Sequence, residues 1–186
     1  RIQSHGEGGA VIATSSLAGL LGHGGAGVYT ASKFGVVGMM EALRFELTDS
    51  NIAVTVFCPG IVNTNIGRSA RNRPGAKAGP PPGPPPGPPP GAAGARPAFV
   101  PAGMDPLEAG QLVLKGMRNN DFYVLTTPDF EVDFKARGDA IVASIPADVN
   151  PSEQRIQMGH RVAGRMTYVA ERDRKQCERA ARTKKA

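Results

Sequence analysis

The chain has 186 residues, 40% of them hydrophobic, which is enough apolar material for the core of one ordinary domain. It contains no apolar run of the roughly eighteen residues that a membrane span needs, and no charged-then-apolar leader opens it. These features predict a cytoplasmic protein with no membrane contact.

The cysteines and histidines do not indicate a metal site or a disulfide. Cys58 and Cys177 lie far apart in the sequence, and the three histidines are scattered without the spacing of metal ligands. We therefore expect neither a bound metal nor a disulfide framework.

The formal net charge of +6 is concentrated near the end of the chain. From Arg155 onward there are ten lysines and arginines but only three acidic residues. Such a basic tail can attract nucleic acid or anionic lipid, but arginine and glutamate interspersed on a helix are more often a solvated face. We do not expect nucleic acid as a partner.

The first half of the chain predicts a strand, a helix and a second strand. Gly9–Thr14 is a short apolar run that ends at a serine pair, as in a strand buried on both faces. Apolar residues then recur at helical spacing over 27–48. A second apolar run, 52–57, ends at Cys58-Pro59-Gly60. This order predicts a right-handed parallel crossover unit.

The second half continues the alternation of helices and strands. It predicts a helix over 105–119, a strand over 122–125, and a helix that is capped at 127–129 and runs to about 143. A last, mostly polar helix follows a cap at 150–153 and carries the basic tail. We therefore predict an α/β fold with a parallel sheet over 1–145, and a basic helical tail over 146–186.

A proline-glycine run interrupts this pattern at 79–91. Its period of four excludes a collagen strand, which needs glycine at every third position. We predict a low-complexity loop insert over 67–103. A PxxP ligand for an SH3-type domain is the alternative that remains open.

Three polar residues near the first crossover form a candidate site. Tyr29 and Lys33 are four residues apart on a predicted helix, so their Cβ atoms can lie about 5–6 Å apart. At that distance an ammonium group favours a phenolate by about 3 kcal/mol if the effective dielectric constant is about 20. Ser16 ends the first strand, where ligand crevices open in parallel sheets. The alternative is that the three residues have only structural roles. Tyr29 would then be an amphipathic residue at a helix start, Lys33 a surface charge and Ser16 a cap at the end of a strand.

The order and spacing of these residues resemble the classical short-chain dehydrogenase/reductase family. The family's serine precedes its YxxxK tyrosine by about a dozen residues, as Ser16 precedes Tyr29 and Lys33, and its PGxVxT motif is matched by residues 59–64. The resemblance implies the carboxyl-terminal part of a Rossmann-like, doubly wound parallel sheet. It implies a general acid/base role for the tyrosine, substrate orientation by the serine, and ribose binding by the lysine. It also implies four residues at the nicotinamide end of the cofactor: Pro59, Gly60, Val62 and Thr64.

The chain departs from the family in one large respect. The glycine-rich TGxxxGxG turn and the residue that selects NAD or NADP are not found in it. We therefore expect a fragment of an NAD- or NADP-dependent oxidoreductase that acts on an alcohol or carbonyl compound, is a homo-oligomer at full length, and is inactive as this piece alone. The alternative is a non-catalytic assembly or interaction piece that uses the long helix, the proline run or the basic tail.

Overall fold

A computed structural model of the chain describes residues 2–66, 103–162 and 165–183. The predicted loop insert, 67–103, lies outside the described residues except for Gly103. The elements in chain order are α1 (Ile2–His5), β1 (Gly9–Thr14), a 3-10 helix (Leu17–Gly19), α2 (Gly27–Glu46), β2 (Ile52–Cys58), α3 (Pro106–Arg118), β3 (Tyr123–Leu125), α4 (Glu131–Ala143), α5 (Glu153–Val162) and α6 (Arg165–Thr183).

The three strands form a parallel sheet in the order β1-β2-β3. β1 pairs with β2 from Gly9 opposite Ile52 to Thr14 opposite Phe57. This arrangement confirms the predicted α/β class with a parallel sheet. Because the strands are parallel, their last residues lie at one edge of the sheet, which we call the carboxyl edge.

The core lies between β2 and α2. β2 is the central strand and is buried along most of its length, which explains why its sequence is continuously apolar rather than alternating. Val37 and Met40 of α2 pack against it. The buried residues of the core cluster are Val37, Met40, Val54, Val56, Cys58 and Phe122.

The ends of α3 follow local capping rules. The Asp105 carboxylate accepts hydrogen bonds from the backbone N–H groups of Leu107 and Glu108 at 2.8 and 3.2 Å, so it caps the amino terminus. At the other end Asn120 has a φ of 55°, the left-handed conformation that commonly stops a helix. Gly116 allows α3 to approach β3 closely, since a Cβ there would lie 2.2 Å from a methyl carbon of Val124.

One of the predicted helices differs in detail. α4 begins at Glu131 and its N-cap residue, Phe130, makes no side-chain cap, so the predicted cap at 127–129 is not formed. The Glu131 N–H instead donates to the Pro128 carbonyl at 3.1 Å in a turn that precedes the helix. The polar segment predicted to be helical after residue 153 is helical over both of its described ranges, α5 and α6.

Charged side chains of α6 contact the edge of β3 that faces away from β2. The Glu171 carboxylate accepts hydrogen bonds from the backbone N–H groups of Phe122 and Tyr123 at 2.7 to 3.3 Å. These are donors that an edge strand would otherwise leave to water. Arg174 lies 2.6 Å from the Asp121 carboxylate, and Lys175 pairs with the same group. Two cations of the basic tail are therefore paired within the chain.

Candidate active site

Ser16 lies directly beyond β1 at the carboxyl edge. It is the N-cap of the 3-10 helix, and its Oγ accepts a hydrogen bond from the Ala18 backbone N–H at 3.2 Å. The residues on both sides of it are held against the end of β2, since Ser15 N donates to the Phe57 carbonyl and Leu17 N to the Pro59 carbonyl, each at 2.8 Å. The backbone around Ser16 is therefore fixed to the end of β2 and to Pro59, which follows it.

Tyr29 and Lys33 lie in the first two turns of α2. The Lys33 Nζ is 5.7 Å from the centroid of the Tyr29 ring, and it donates a hydrogen bond to the Thr14 carbonyl at 3.3 Å. Thr14 is the last residue of β1, two residues before Ser16. The structure thus places Lys33 between the Tyr29 ring and the strand end that leads to Ser16. The Tyr29 side chain remains 48% exposed, so its ring is open to a ligand.

Ser15 was not among the predicted site residues, although it directly contacts the Lys33 backbone. Its side chain is 3% exposed, and its Oγ donates a hydrogen bond to the Lys33 carbonyl at 2.9 Å. Its position beside Ser16 was the only signal in the sequence, because nothing local indicates that its hydroxyl reaches a helix eighteen residues away.

The Pro-Gly segment follows β2 at the same edge. Pro59 accepts the bond from Leu17 described above, and the Gly60 N–H donates to Thr126 Oγ1 at 2.9 Å. Val62 forms a parallel bridge with Met104. The structure therefore brings Pro59 and Gly60 to the ends of β1 and β3.

Thr64 lies further along this segment and is exposed. Its Oγ1 accepts a hydrogen bond from the Ile66 N–H at 3.3 Å, a contact local to the segment. Val62 and Thr64 thus have partners on the Pro-Gly segment and on the chain before α3.

Cys58, the last residue of β2, is buried next to the serine pair. It is 1% exposed, and burial raises the pKa of its thiol to about 11, although hydrogen bonds with the Ser16 backbone and the Ser15 side chain oppose that shift. A thiol that stays protonated at neutral pH is a poor nucleophile. Cys58 therefore contributes packing rather than reactivity.

A second polar cluster connects α2, β3 and α6. The Tyr123 hydroxyl donates a hydrogen bond to the Glu41 carboxylate. Burial and the nearby Glu41 carboxylate raise the pKa of both Tyr123 and Tyr168 above the usual range of a phenol. Both tyrosines therefore remain protonated at neutral pH and serve as hydrogen-bond donors.

Over 2–66, 103–162 and 165–183, no group of three or more His, Cys, Asp or Glu side chains has the arrangement of a metal site. None of the helices in those ranges has the length and apolar character needed to cross a membrane.

Residues 2–75 match the family model of the short chain dehydrogenases. The chain belongs to the short-chain dehydrogenase/reductase family. The matched range includes the serine, the YxxxK pair and the Pro-Gly segment, so the family's signal in the sequence and the polar contacts at the carboxyl edge fall in the same part of the chain.

Two curated members of this family illustrate the range of similarity. The CLA biosynthesis dehydrogenase/reductase of Lactiplantibacillus plantarum is 32% identical over 143 residues, which is 75% of this chain and 50% of that protein. The 3beta-hydroxysteroid dehydrogenase 2 of Eggerthella lenta is 47% identical over 66 residues, 36% of this chain and 25% of that protein. The chain thus spans half or less of the length of these two relatives.

A solved short-chain dehydrogenase/reductase shares the fold. The protein from Burkholderia phymatum, crystallised with NAD, superposes with a TM-score of 0.60 and 24% identity, covering 80% of this chain and 53% of that one. At this identity the likeness supports the Rossmann-like fold of the family, and the three-stranded parallel sheet described here is the corresponding part of it.

Proposed function

We propose that this chain is the catalytic part of an NAD- or NADP-dependent short-chain oxidoreductase, which transfers a hydride between nicotinamide and an alcohol or carbonyl carbon. The observation that carries the proposal is the position of the Lys33 ammonium, 3.3 Å from the carbonyl of Thr14, two residues before Ser16, and 5.7 Å from the centroid of the Tyr29 ring. The names of the curated relatives, a dehydrogenase/reductase and a hydroxysteroid dehydrogenase, support the reaction class.

The donors at the carboxyl edge fit the nicotinamide ribose. An ammonium group has three N–H donors, of which the Thr14 carbonyl takes one, and Lys33 is only half-buried. A ribose hydroxyl can accept from the same group without displacing its bond to β1. Gly60 and Thr64 follow β2 at this edge, where a nicotinamide ring would enter the crevice of a parallel sheet.

The chain's own residues would handle the proton and the substrate. The bound cofactor supplies the hydride chemistry. The Tyr29 hydroxyl donates or accepts the proton at the substrate oxygen, and the Lys33 ammonium lies 5.7 Å from the centroid of the Tyr29 ring. The Ser16 hydroxyl, fixed at the end of β1, holds that same oxygen by a hydrogen bond. In this proposal Tyr29 transfers the proton and Ser16 orients the substrate.

We also propose that turnover requires the family's cofactor-binding half in addition to this chain. The chain spans half or less of the length of the two curated relatives named above, and its sequence does not contain the glycine-rich turn that the family resemblance associates with the pyrophosphate. In the described sheet β1 is an outer strand that pairs with β2 along one edge, and Ile12 in its middle is 40% exposed. Such an apolar strand edge suits a further strand of the same sheet. A cytoplasmic location and a homo-oligomeric full-length form stay predictions.

The test is Tyr29→Phe in the full-length protein. The assay follows reduced nicotinamide by its absorbance, with NAD and NADP and a panel of secondary alcohols and ketones. We expect kcat to fall by about a hundredfold or more, because only the transferable proton is removed. Cofactor affinity, measured by calorimetry, should stay within a few fold.

The matched control is Tyr168→Phe, since Tyr168 on α6 is 42% exposed against 48% for Tyr29. This control should keep the parent kcat. Near-parental turnover in Tyr29→Phe would overturn the proposed function and favour a non-catalytic assembly piece.

A further inference from the structure

Ser15 makes a contact that the proposed proton transfer does not use. Its hydroxyl, on a side chain that is 3% exposed, donates to the Lys33 carbonyl at 2.9 Å. A carbonyl inside a helix already accepts one intrahelical bond and has a second lone pair to offer. The hydroxyl of Ser15 occupies that second position, so the end of β1 is joined to α2 at the turn that carries Lys33.

Gly19 shows that this junction is tightly packed. A Cβ at Gly19 would lie 2.2 Å from Ser15 Oγ and 2.7 Å from the Lys33 carbonyl oxygen. No side chain can enter that space without moving one of the two groups. The 3-10 helix therefore approaches α2 at Lys33 as closely as backbone allows, with the Ser15 hydroxyl between them.

The same short segment holds Ser16. Ser15 is bonded through its N–H to Phe57 and through its side chain to Lys33, and Leu17 is bonded to Pro59. Ser16 thus lies between two residues that are fixed to other elements. A change at Ser15 would shift the Ser16 hydroxyl and the Lys33 ammonium relative to each other.

We propose that Ser15 is a positioning residue, which sets the distance between Ser16 and Lys33 through its bond to the Lys33 carbonyl. This inference rests on the proposed function, because it assigns Ser15 a part in aligning the same site. Misplacement of reacting groups by a fraction of an ångström can cost tens of fold in rate. The hydroxyl acts through Lys33 and touches neither substrate nor cofactor.

The test compares Ser15→Ala with Thr55→Val in the full-length protein. Thr55 is 0% exposed, and its Oγ1 donates to the Asp121 carbonyl at 2.8 Å, so each change deletes a buried bond from a hydroxyl to a backbone carbonyl. Ser15→Ala also removes the contact of that hydroxyl with the Cys58 thiol, which is weak because a thiol is a poor hydrogen-bonding group. Asp121 precedes β3, at the end of the sheet opposite the carboxyl edge. Unfolding in urea should show similar losses of stability for the two variants.

We expect kcat per folded molecule to fall about tenfold in Ser15→Ala, and to stay within about twofold of the parent in Thr55→Val. Equal losses of kcat in the two variants, or a parental kcat in Ser15→Ala, would overturn the inference. If the parent itself transfers no hydride, the proposed function fails, and crystal structures then decide this inference separately. In that case the bond from Lys33 Nζ to the Thr14 carbonyl should be broken in Ser15→Ala, and its persistence would overturn the inference.

Discussion

Replacing Lys33 by methionine should separate the contribution of its charge to catalysis from its contribution to stability. The change keeps an unbranched apolar stem and removes the ammonium, whose distance from the Tyr29 ring centroid is 5.7 Å. At that distance Coulomb's law gives the attraction between the ammonium and a unit negative charge on the ring. It is about 2.9 kcal/mol for an effective dielectric constant of about 20, and about 0.7 kcal/mol in bulk water. Tyr29 is 48% exposed, and a bound cofactor would displace water from it.

We therefore expect the attraction lost in Lys33→Met to lie between these two limits, at about 2 kcal/mol. A loss of that size in the transition state lowers kcat roughly thirtyfold. Cofactor affinity should fall as well, by about tenfold or more, because a charge-assisted bond to the ribose is lost. The stability of the fold should change little. Among the described residues the change removes the hydrogen bond to the Thr14 carbonyl at 3.3 Å, which is exposed and contributes about 1 kcal/mol.

The assays are steady-state kinetics, cofactor titration by calorimetry and unfolding in urea, all in the full-length protein. Lys115→Met is the matched control, since Lys115 lies exposed in the last turns of α3, remote from the carboxyl edge. That control should leave all three measurements near the parent values. A parental kcat in Lys33→Met would show that Lys33 is only a surface charge. A loss of stability above about 3 kcal/mol would show that its role is structural.

Two further predictions concern the folded chain itself. Asp121→Asn should lower the free energy of unfolding by about 2 kcal/mol, less than for a fully buried pair because Arg174 and Lys175 are about one-third exposed. The control is Asp139→Asn, which removes one member of an exposed ion pair on α4, and a change below about 0.5 kcal/mol for Asp121→Asn in urea unfolding would show that the Asp121 ion pairs do not hold α6. Stability should also fall by about 1 kcal/mol between pH 8 and pH 10, because burial raises the pKa of the Cys58 thiol from 9.0 to about 11, so the unfolded chain releases that proton first. Cys58→Ser should remove this part of the alkaline loss, and an unchanged pH dependence in that variant would contradict the assignment.

Local sequence patterns were sufficient to predict most of the elements. The boundaries predicted for β1 are those observed, Gly9–Thr14, and β2 extends one residue further, to Cys58. A helix was predicted over 105–119 and is found at Pro106–Arg118, capped by Asp105. These features depend on hydrophobic periodicity and on caps within a few residues of the chain, so a single sequence carries them.

The contacts between distant segments required the folded structure. No local pattern shows that the hydroxyl of Ser15 reaches the Lys33 carbonyl, or that Glu171 accepts the backbone N–H groups of Phe122 and Tyr123 across forty-nine and forty-eight positions. A polar side chain bonds to whichever partner the packing of strands and helices brings within about 3 Å, and that choice is made by the whole chain. The residue types of the site could thus be read from the sequence, whereas the contacts that align them depend on how α2, β1 and β2 pack.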